Sequence, residues 1–345
     1  MKKPITIIIL CLLAIAVFAA CTTSPASPEA TTPEGAAPLE TPPTLPEPEY
    51  QEEPEYDEPE YEELIYEQVA IPTYDREGFP FTMPEQVNTI ISIGPSNTEV
   101  LVELGFVDSI IQTDRFSADV PGISEDIATL DMMSLDLERI ISLNPCIVFV
   151  TGMTRVGGEM DPLSAVSAVG ITVVYMPSSA SIAAIKEDIL FMATVVGVRE
   201  TGEAIVADMT QEIDRIREIG DRVTERRTVY FEISPAPFMF SFGSGTFLHE
   251  MIELVGATNV FGDQEGWLGV ADEVLLALNP DVILTSTDFL DDPIDEIKAR
   301  SGWDTITAVQ NGDVFIIDTS SSNRPNHNIV IALREIAAAV HPDEF

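Results

Sequence analysis

From Pro84 to the C-terminus, short apolar runs alternate with stretches in which apolar side chains recur every three or four positions. The runs Val87 to Ile93, Ile147 to Thr151, Ile171 to Met176, Thr228 to Ile233, Val282 to Thr285 and Val314 to Ile317 have the length and β-branched content of buried strands. Between them, Thr98 to Leu104, Leu137 to Leu143, Leu163 to Val169, Phe247 to Val255, Glu273 to Leu278 and Ile329 to Val340 keep the helical period. Such alternation predicts an α/β fold with parallel-type sheets covered by helices.

From Ser181 to about Val223 the strand signal vanishes and helical periodicity continues, interrupted at Gly197. One helix over that stretch would be roughly 60 Å long, too long to cross over within one small sheet. It is therefore expected to be a connecting helix, about 181–223, joining two similar lobes at about 84–180 and 224–345. The alternative is two helices with a turn near Gly197.

An internal repeat supports two lobes. Glu138-Arg139-Ile140-Ile141-Ser142-Leu143-Asn144-Pro145 precedes one strand run, and Glu273-Val274-Leu275-Leu276-Ala277-Leu278-Asn279-Pro280 precedes another. Two lobes of this kind leave a cleft at the carboxyl ends of their strands, where open sheets place ligands.

The N-terminus has a different pattern. Lys2 and Lys3 precede a 16-residue apolar run, Ile5 to Ala20, which ends in small residues and Cys21. The run is short for a membrane span, and Phe18-Ala19-Ala20-Cys21 resembles a bacterial lipobox. Residues 1–20 read as a lipoprotein signal peptide and Cys21 as the lipidated first residue, placing the protein at the outer face of the cytoplasmic membrane; an uncleaved anchor helix is the alternative. Residues 21–83 are dominated in their first part by Pro, Glu and Thr, with Pro-Glu-Tyr repeated at 48–50, 54–56 and 59–61 and no Lys or Arg between Lys3 and Arg76. This composition predicts a disordered acidic tether.

Charge and cysteine usage narrow the function. Of 58 acidic and 17 basic residues, the first 75 positions hold 15 and 2, leaving 43 and 15 from Arg76 onward. So acidic a domain lacks the footprint of nucleic-acid binding, and it leaves membrane attachment to the lipid. Cys146 would be the lone thiol of the mature chain, expected as a small buried hydrophobe at a strand start. His249-Glu250-Met251-Ile252-Glu253 lacks the second His of a zinc-protease helix, and no nucleophile elbow or phosphate loop is present, so no catalytic residues are assigned.

Ile91-Ser92-Ile93-Gly94-Pro95-Ser96-Asn97-Thr98-Glu99, the Asp136 to Pro145 stretch, Trp303 with Ile306 and Val309 before Gly312-Asp313-Val314, and Leu333 to His341-Pro342 resemble the siderophore, haem and cobalamin periplasmic-binding proteins of ABC importers. The resemblance covers about 250 residues. It implies two lobes on a rigid helical backbone, a transported ligand (an iron chelate, cobalamin or haem) and no resident cofactor. It also implies docking onto a permease dimer through one acidic residue per lobe, which here are Glu138 and Glu273. Ligand-binding candidates by position are Ser96, Asn97, Arg115, Phe116, Met132, Met133, Phe240, Trp267, Arg324 and His327. Met and aromatic side chains would cover a macrocycle, and Arg324 would meet a carboxylate or phosphate. Met133 and His327, on opposing rims, would form an axial pair if the ligand were haem. An extracellular enzyme with an unrecognised site and an adhesin acting through the tether stay open at this point.

The lipidation reading predicts that Cys21→Ala moves the protein from the membrane fraction to the medium; fractionation unchanged by the substitution would contradict it.

Overall fold

A computed structural model describes residues 71–155 and 161–345. The expected signal peptide (1–20), Cys21 and the expected tether up to residue 70 lie outside the described residues.

The first lobe contains β1 (Ile90–Ile93), α1 (Pro95–Glu103), β2 (Ile110–Asp114), β3 (Thr129–Leu130), α2 (Leu137–Leu143), β4 (Ile147–Thr151), α3 (Ser164–Ala168) and β5 (Thr172–Met176). Its five strands are all parallel, in the order β3-β2-β1-β4-β5. The chain thus winds one way from β1 to β3, then crosses to the other side of β1 to lay down β4 and β5.

The second lobe contains β6 (Thr228–Glu232), β7 (Phe240–Phe242), α6 (Phe247–Leu254), β8 (Thr258–Asn259), β9 (Trp267–Gly269), α7 (Asp272–Leu278), β10 (Val282–Thr285), α8 (Pro293–Ala299), α9 (Thr307–Asn311), β11 (Val314–Ile316), α10 (Thr319–Asn323) and α11 (Ile329–Val340). Its parallel sheet, β11-β10-β6-β8, repeats the reversal about β6, and β7 and β9 form a small antiparallel pair. The lobes therefore share one topology.

The sequence repeat has a backbone cause. Helices α2 and α7 each end on an asparagine in the left-handed conformation, Asn144 at φ 48° and Asn279 at φ 47°, and these are the described non-glycine residues with positive φ. Asparagine tolerates that conformation better than other side chains, and the proline that follows cannot continue a helix. Leu-Asn-Pro is therefore a stop that turns the chain from helix into the buried strands β4 and β10.

Residues 181–223 do not form one strut. They fold into α4 (Ile182–Val195) and α5 (Arg199–Gly220), broken at Gly197, whose φ of 81° suits glycine. Lys186 of α4 faces Asp214 and Arg217 near the far end of α5, so the helices run back alongside one another as an antiparallel hairpin. At about 33 Å, α5 is half the length expected of a single strut. The hairpin joins the lobes through its core: Ile185, Ile189, Met192, Met209, Ile213 and Ile216 are buried in one apolar cluster with Ile90, Leu101 and Phe149 of the first lobe and Phe231, Leu248 and Leu333 of the second.

The end of the expected tether is also ordered. Asp75 is buried and accepts hydrogen bonds from the backbone N–H groups of Glu77, Phe79 and, 2.9 Å away, Tyr175 of β5. Arg76 pairs with Asp188 of α4 at 2.6 Å, Phe79 packs on Tyr175, and Phe81 packs edge-on against Phe191. Residues 71–83 thus strap the first lobe to α4 instead of belonging to a disordered segment. Cys146 is half-buried at the start of β4, its sulfur accepting from the Thr89 hydroxyl at 3.4 Å.

Gly220 closes α5 where it meets the end of α6: a Cβ there would stand 2.1 Å from the carbonyl oxygen of Leu254. Alanine for glycine in an exposed helix stabilises by about 1 kcal/mol, but here overpacking costs about 1 to 3 kcal/mol. Gly220→Ala should therefore lower the urea midpoint; an unchanged or raised midpoint would show that α5 and α6 do not meet this closely.

Candidate functional site

Both parallel sheets present their carboxyl ends to the gap between the lobes. In the first lobe, the order reverses between β1 and β4, and a crevice opens at such a switch point because the two connections leave in opposite directions. A cavity of about 110 Å³ lies there. Gly94, Pro95, Ser96 and Asn97 after β1, Met132 after β3, Thr151 and Met153 at the end of β4, and Pro177 and Ser178 after β5 form its first-lobe wall, while Asn323, Arg324 and Pro325 of the second lobe close it.

The Gly94 turn is held by the fully buried Asp114 at the end of β2. Its carboxylate accepts from the Gly94 N–H at 2.7 Å, the Phe116 N–H at 2.7 Å and the Ser117 hydroxyl at 2.6 Å. A buried carboxylate with three donors is satisfied, and it ties the loops after β1 and β2 into one rigid edge. The Asn97 side chain donates to the Ile93 carbonyl at 3.0 Å, adding a second tie.

Four of the ligand candidates read from sequence, Ser96, Asn97, Met132 and Arg324, line this cavity. Arg115 and Phe116 occupy the turn after β2, exposed, with the guanidinium 4.7 Å from the ring centre. Met133 is exposed beside Met132 and does not line the cavity. Phe240 and Trp267 lie on the β7–β9 pair, away from the cavity lining; the Trp267 ring packs edge-on against Phe242 at 6.1 Å.

Two expectations for the second lobe change. Arg324 is already paired: it donates to Glu99 of α1 at 2.5 Å and to both oxygens of Asp119 at 2.9 and 2.7 Å. Burial acts to lower its pKa, but these carboxylates outweigh it and hold Arg324 above the usual range. It is therefore not a free cation waiting for a propionate. His327 turns its ring onto α1, with Nε2 3.7 Å from Glu103, and burial holds its pKa below the usual imidazole range. With His327 on α1 and Met133 exposed outside the cavity, the structure does not bring the expected axial pair together.

Sequence reading passed over Glu99, Asp114, Asp119, Thr151, Met153 and Phe289. The apolar ones share a detectable signal, since each follows the carboxyl end of a parallel strand. Phe116, Met133 and Met153 follow β2, β3 and β4, while Phe238 and Phe289 follow β6 and β10 and are 81 % and 71 % exposed. Large apolar side chains left in water on the cleft side of both sheets mark a surface that a ligand or partner covers.

Glu138 and Glu273 stand exposed in the first turns of α2 and α7, at equivalent places in the two lobes.

Three relatives frame this geometry. An ABC transporter substrate-binding lipoprotein of Bacillus subtilis, YvrC, is 27% identical over 274 residues, covering 76% of this chain and 83% of its own. A cobalamin-binding protein of Halobacterium salinarum is 25% identical over 285 residues, covering 76% and 74%. The periplasmic heme-binding protein RhuT of Roseiflexus has the same fold, with a TM-score of 0.66 at 22% identity over 74% of this chain and 98% of its own. The family model described as periplasmic binding protein matches residues 90–320, from β1 through the turn that carries α10, and the chain belongs to that family.

Proposed function

We propose that this substrate-binding protein of an ABC transporter carries a corrinoid of the cobalamin type, seated across the mouth of the interlobe cleft. The observation that carries the reading is the composition of that mouth. The cavity, at about 110 Å³, is smaller than the roughly 300 Å³ of ordinary ligand pockets, so a large ligand would rest on the rim and send only part of itself inward. Met153 lines the cavity, and Phe116, Met133, Phe238 and Phe289 stand exposed in loops that follow strands β2, β3, β6 and β10, apolar area suited to the faces and edges of a macrocycle. Among the charged groups, Arg324 is committed to Glu99 and Asp119, while Asp119, Asp131 and Asp288 add negative charge nearby. An anionic ligand such as a dicarboxylate haem or an acidic iron chelate would then meet few cations that form no ion pair among the described residues: Arg115 after β2, and Arg155 after β4, whose guanidinium is stacked on Phe79. A corrinoid, whose periphery is rich in uncharged amides, asks for hydrogen-bonding groups instead, and Ser96, Asn97, Ser178 and Asn323 line the cavity. The cobalamin-binding relative in Halobacterium salinarum is consistent with this choice.

In this reading Cys21 holds the protein to the outer face of the membrane, in keeping with the lipoprotein relative. Glu138 and Glu273 dock the two lobes onto the two halves of a permease through basic partners. Each exposed pair contributes about 0 to 1 kcal/mol, so two are needed and reversal of both charges converts attraction into repulsion.

Titration calorimetry of the protein with cyanocobalamin, haemin and ferric hydroxamates tests the ligand. The expected result is saturable binding of cyanocobalamin and none of comparable strength for the others; binding of haemin without cyanocobalamin overturns the reading. The double substitution Glu138→Lys, Glu273→Lys should leave that affinity intact and abolish cobalamin uptake by cells; lost affinity with retained uptake would refute the docking assignment.

A further inference from the structure

Glu99 lies on α1, two residues after Asn97 of the cavity wall, and is only 6 % exposed. A buried carboxylate is costly unless hydrogen-bonded, and donors for this one come from across the cleft. Arg324 donates to one oxygen at 2.5 Å; the side-chain amides of Asn326 and Asn328 donate to the other at 2.6 and 2.9 Å. The donor segment is itself fixed, since Asn326 is fully buried and its side-chain oxygen accepts from the Asn328 N–H at 2.7 Å. Asp119 adds a second carboxylate to Arg324, but it is 59% exposed and correspondingly screened.

We propose that Glu99 and the segment Arg324 to Asn328 form an interlobe latch, a set of positioning residues that holds the cleft at one width. The latch and the cavity are built from the same two stretches of chain, so the bonds to Glu99 act directly on the separation of Asn97 from Asn323 and Pro325 within the frame the hairpin provides. Moving the lobes apart would break three charge-assisted hydrogen bonds to Glu99 together and leave water to replace them, whereas deleting a partner with the lobes in place leaves the carboxylate buried and under-donated. The latch therefore fixes the geometry of opening through directional bonds, which an apolar contact would not do. It also assigns Arg324 a role different from ligand recognition: it shapes the cleft that the ligand enters.

Hydrogen exchange on the full-length, ligand-free protein tests this, with Glu99→Gln and Arg324→Gln as variants. The latch predicts that either change speeds exchange in both 97–103 and 326–333, by roughly tenfold or more, as expected for loss of a charge-assisted bond that both segments share. Exchange in α2 and α8 should stay as it was. The double variant should exchange little faster than Glu99→Gln alone, because Glu99→Gln already breaks the ion pair that Arg324→Gln removes and also weakens the Asn326 and Asn328 bonds. Exchange that rises only in the lobe carrying the substitution, or effects that simply add, would overturn the latch and leave Glu99 a local packing residue. Arg324, more exposed than Glu99 at 15 %, supplies a testable variant even if Glu99→Gln fails to fold. The readout needs no ligand, so it is independent of which ligand the cleft takes.

Discussion

The structure depends on one apolar core that does not stop at the lobe boundary. Two sheets, each with its own crossover helices, could fold as separate bodies on a flexible link. Here the inner faces of α4 and α5 are buried against both, so Ile213 and Ile216 share a cluster with residues of β1 and of α11. Burying an aliphatic side chain contributes about 1.5 to 3 kcal/mol, and a hinge through this cluster would expose several at once. The hairpin is therefore a rigid spine, and the lobes are presented to each other at a set distance.

That constraint explains what the cleft is made of. The strand order reverses beside β1 and beside β6, and the cavity opens at the first of these reversals, closed by Asn323, Arg324 and Pro325 of the second lobe. The loops that line it are short and braced from beneath, the Gly94 turn by Asp114 in the first lobe. In the second, Glu232 at the end of β6 pairs with the buried Arg300, which lies over Trp303. Recognition in this architecture falls to side chains that project from a stiff frame, with the apolar rim supplying area and the polar turn residues supplying hydrogen bonds.

Much of the frame was legible in the residues. The Leu-Asn-Pro repeat foretold two equivalent lobes because it encodes a backbone event, the left-handed helix stop before a central strand. Ser96, Asn97 and Met132 were within reach of the sequence because each lies just after a strand, β1 or β3. Strand β2 is hard to read because its apolar start is only Ile110 and Ile111, and its remaining buried residues, Gln112, Thr113 and Asp114, are polar. The spine was misjudged in length because a single glycine in a helical pattern does not say whether the chain bends or reverses; packing decides. The strap at 71–83 was hidden by its neighbours' composition, although Phe79 and Phe81 are its anchors. Arg324 was read as a ligand group for a deeper reason: its partner Glu99 lies 225 positions away, and only the fold brings them together.

If one core sets the spacing of the lobes, that spacing should not respond to ligand. Spin labels on Ser142→Cys in α2 and Lys298→Cys in α8, both exposed sites, with Cys11→Ala, Cys21→Ala and Cys146→Ser to remove the other cysteines, would report the distance between lobes by pulsed dipolar spectroscopy. A single narrow distribution that moves by less than about 2 Å when cyanocobalamin is added is the predicted result. A broad or two-peaked distribution, or a larger shift on binding, would contradict the rigid spine and the fixed cleft built on it.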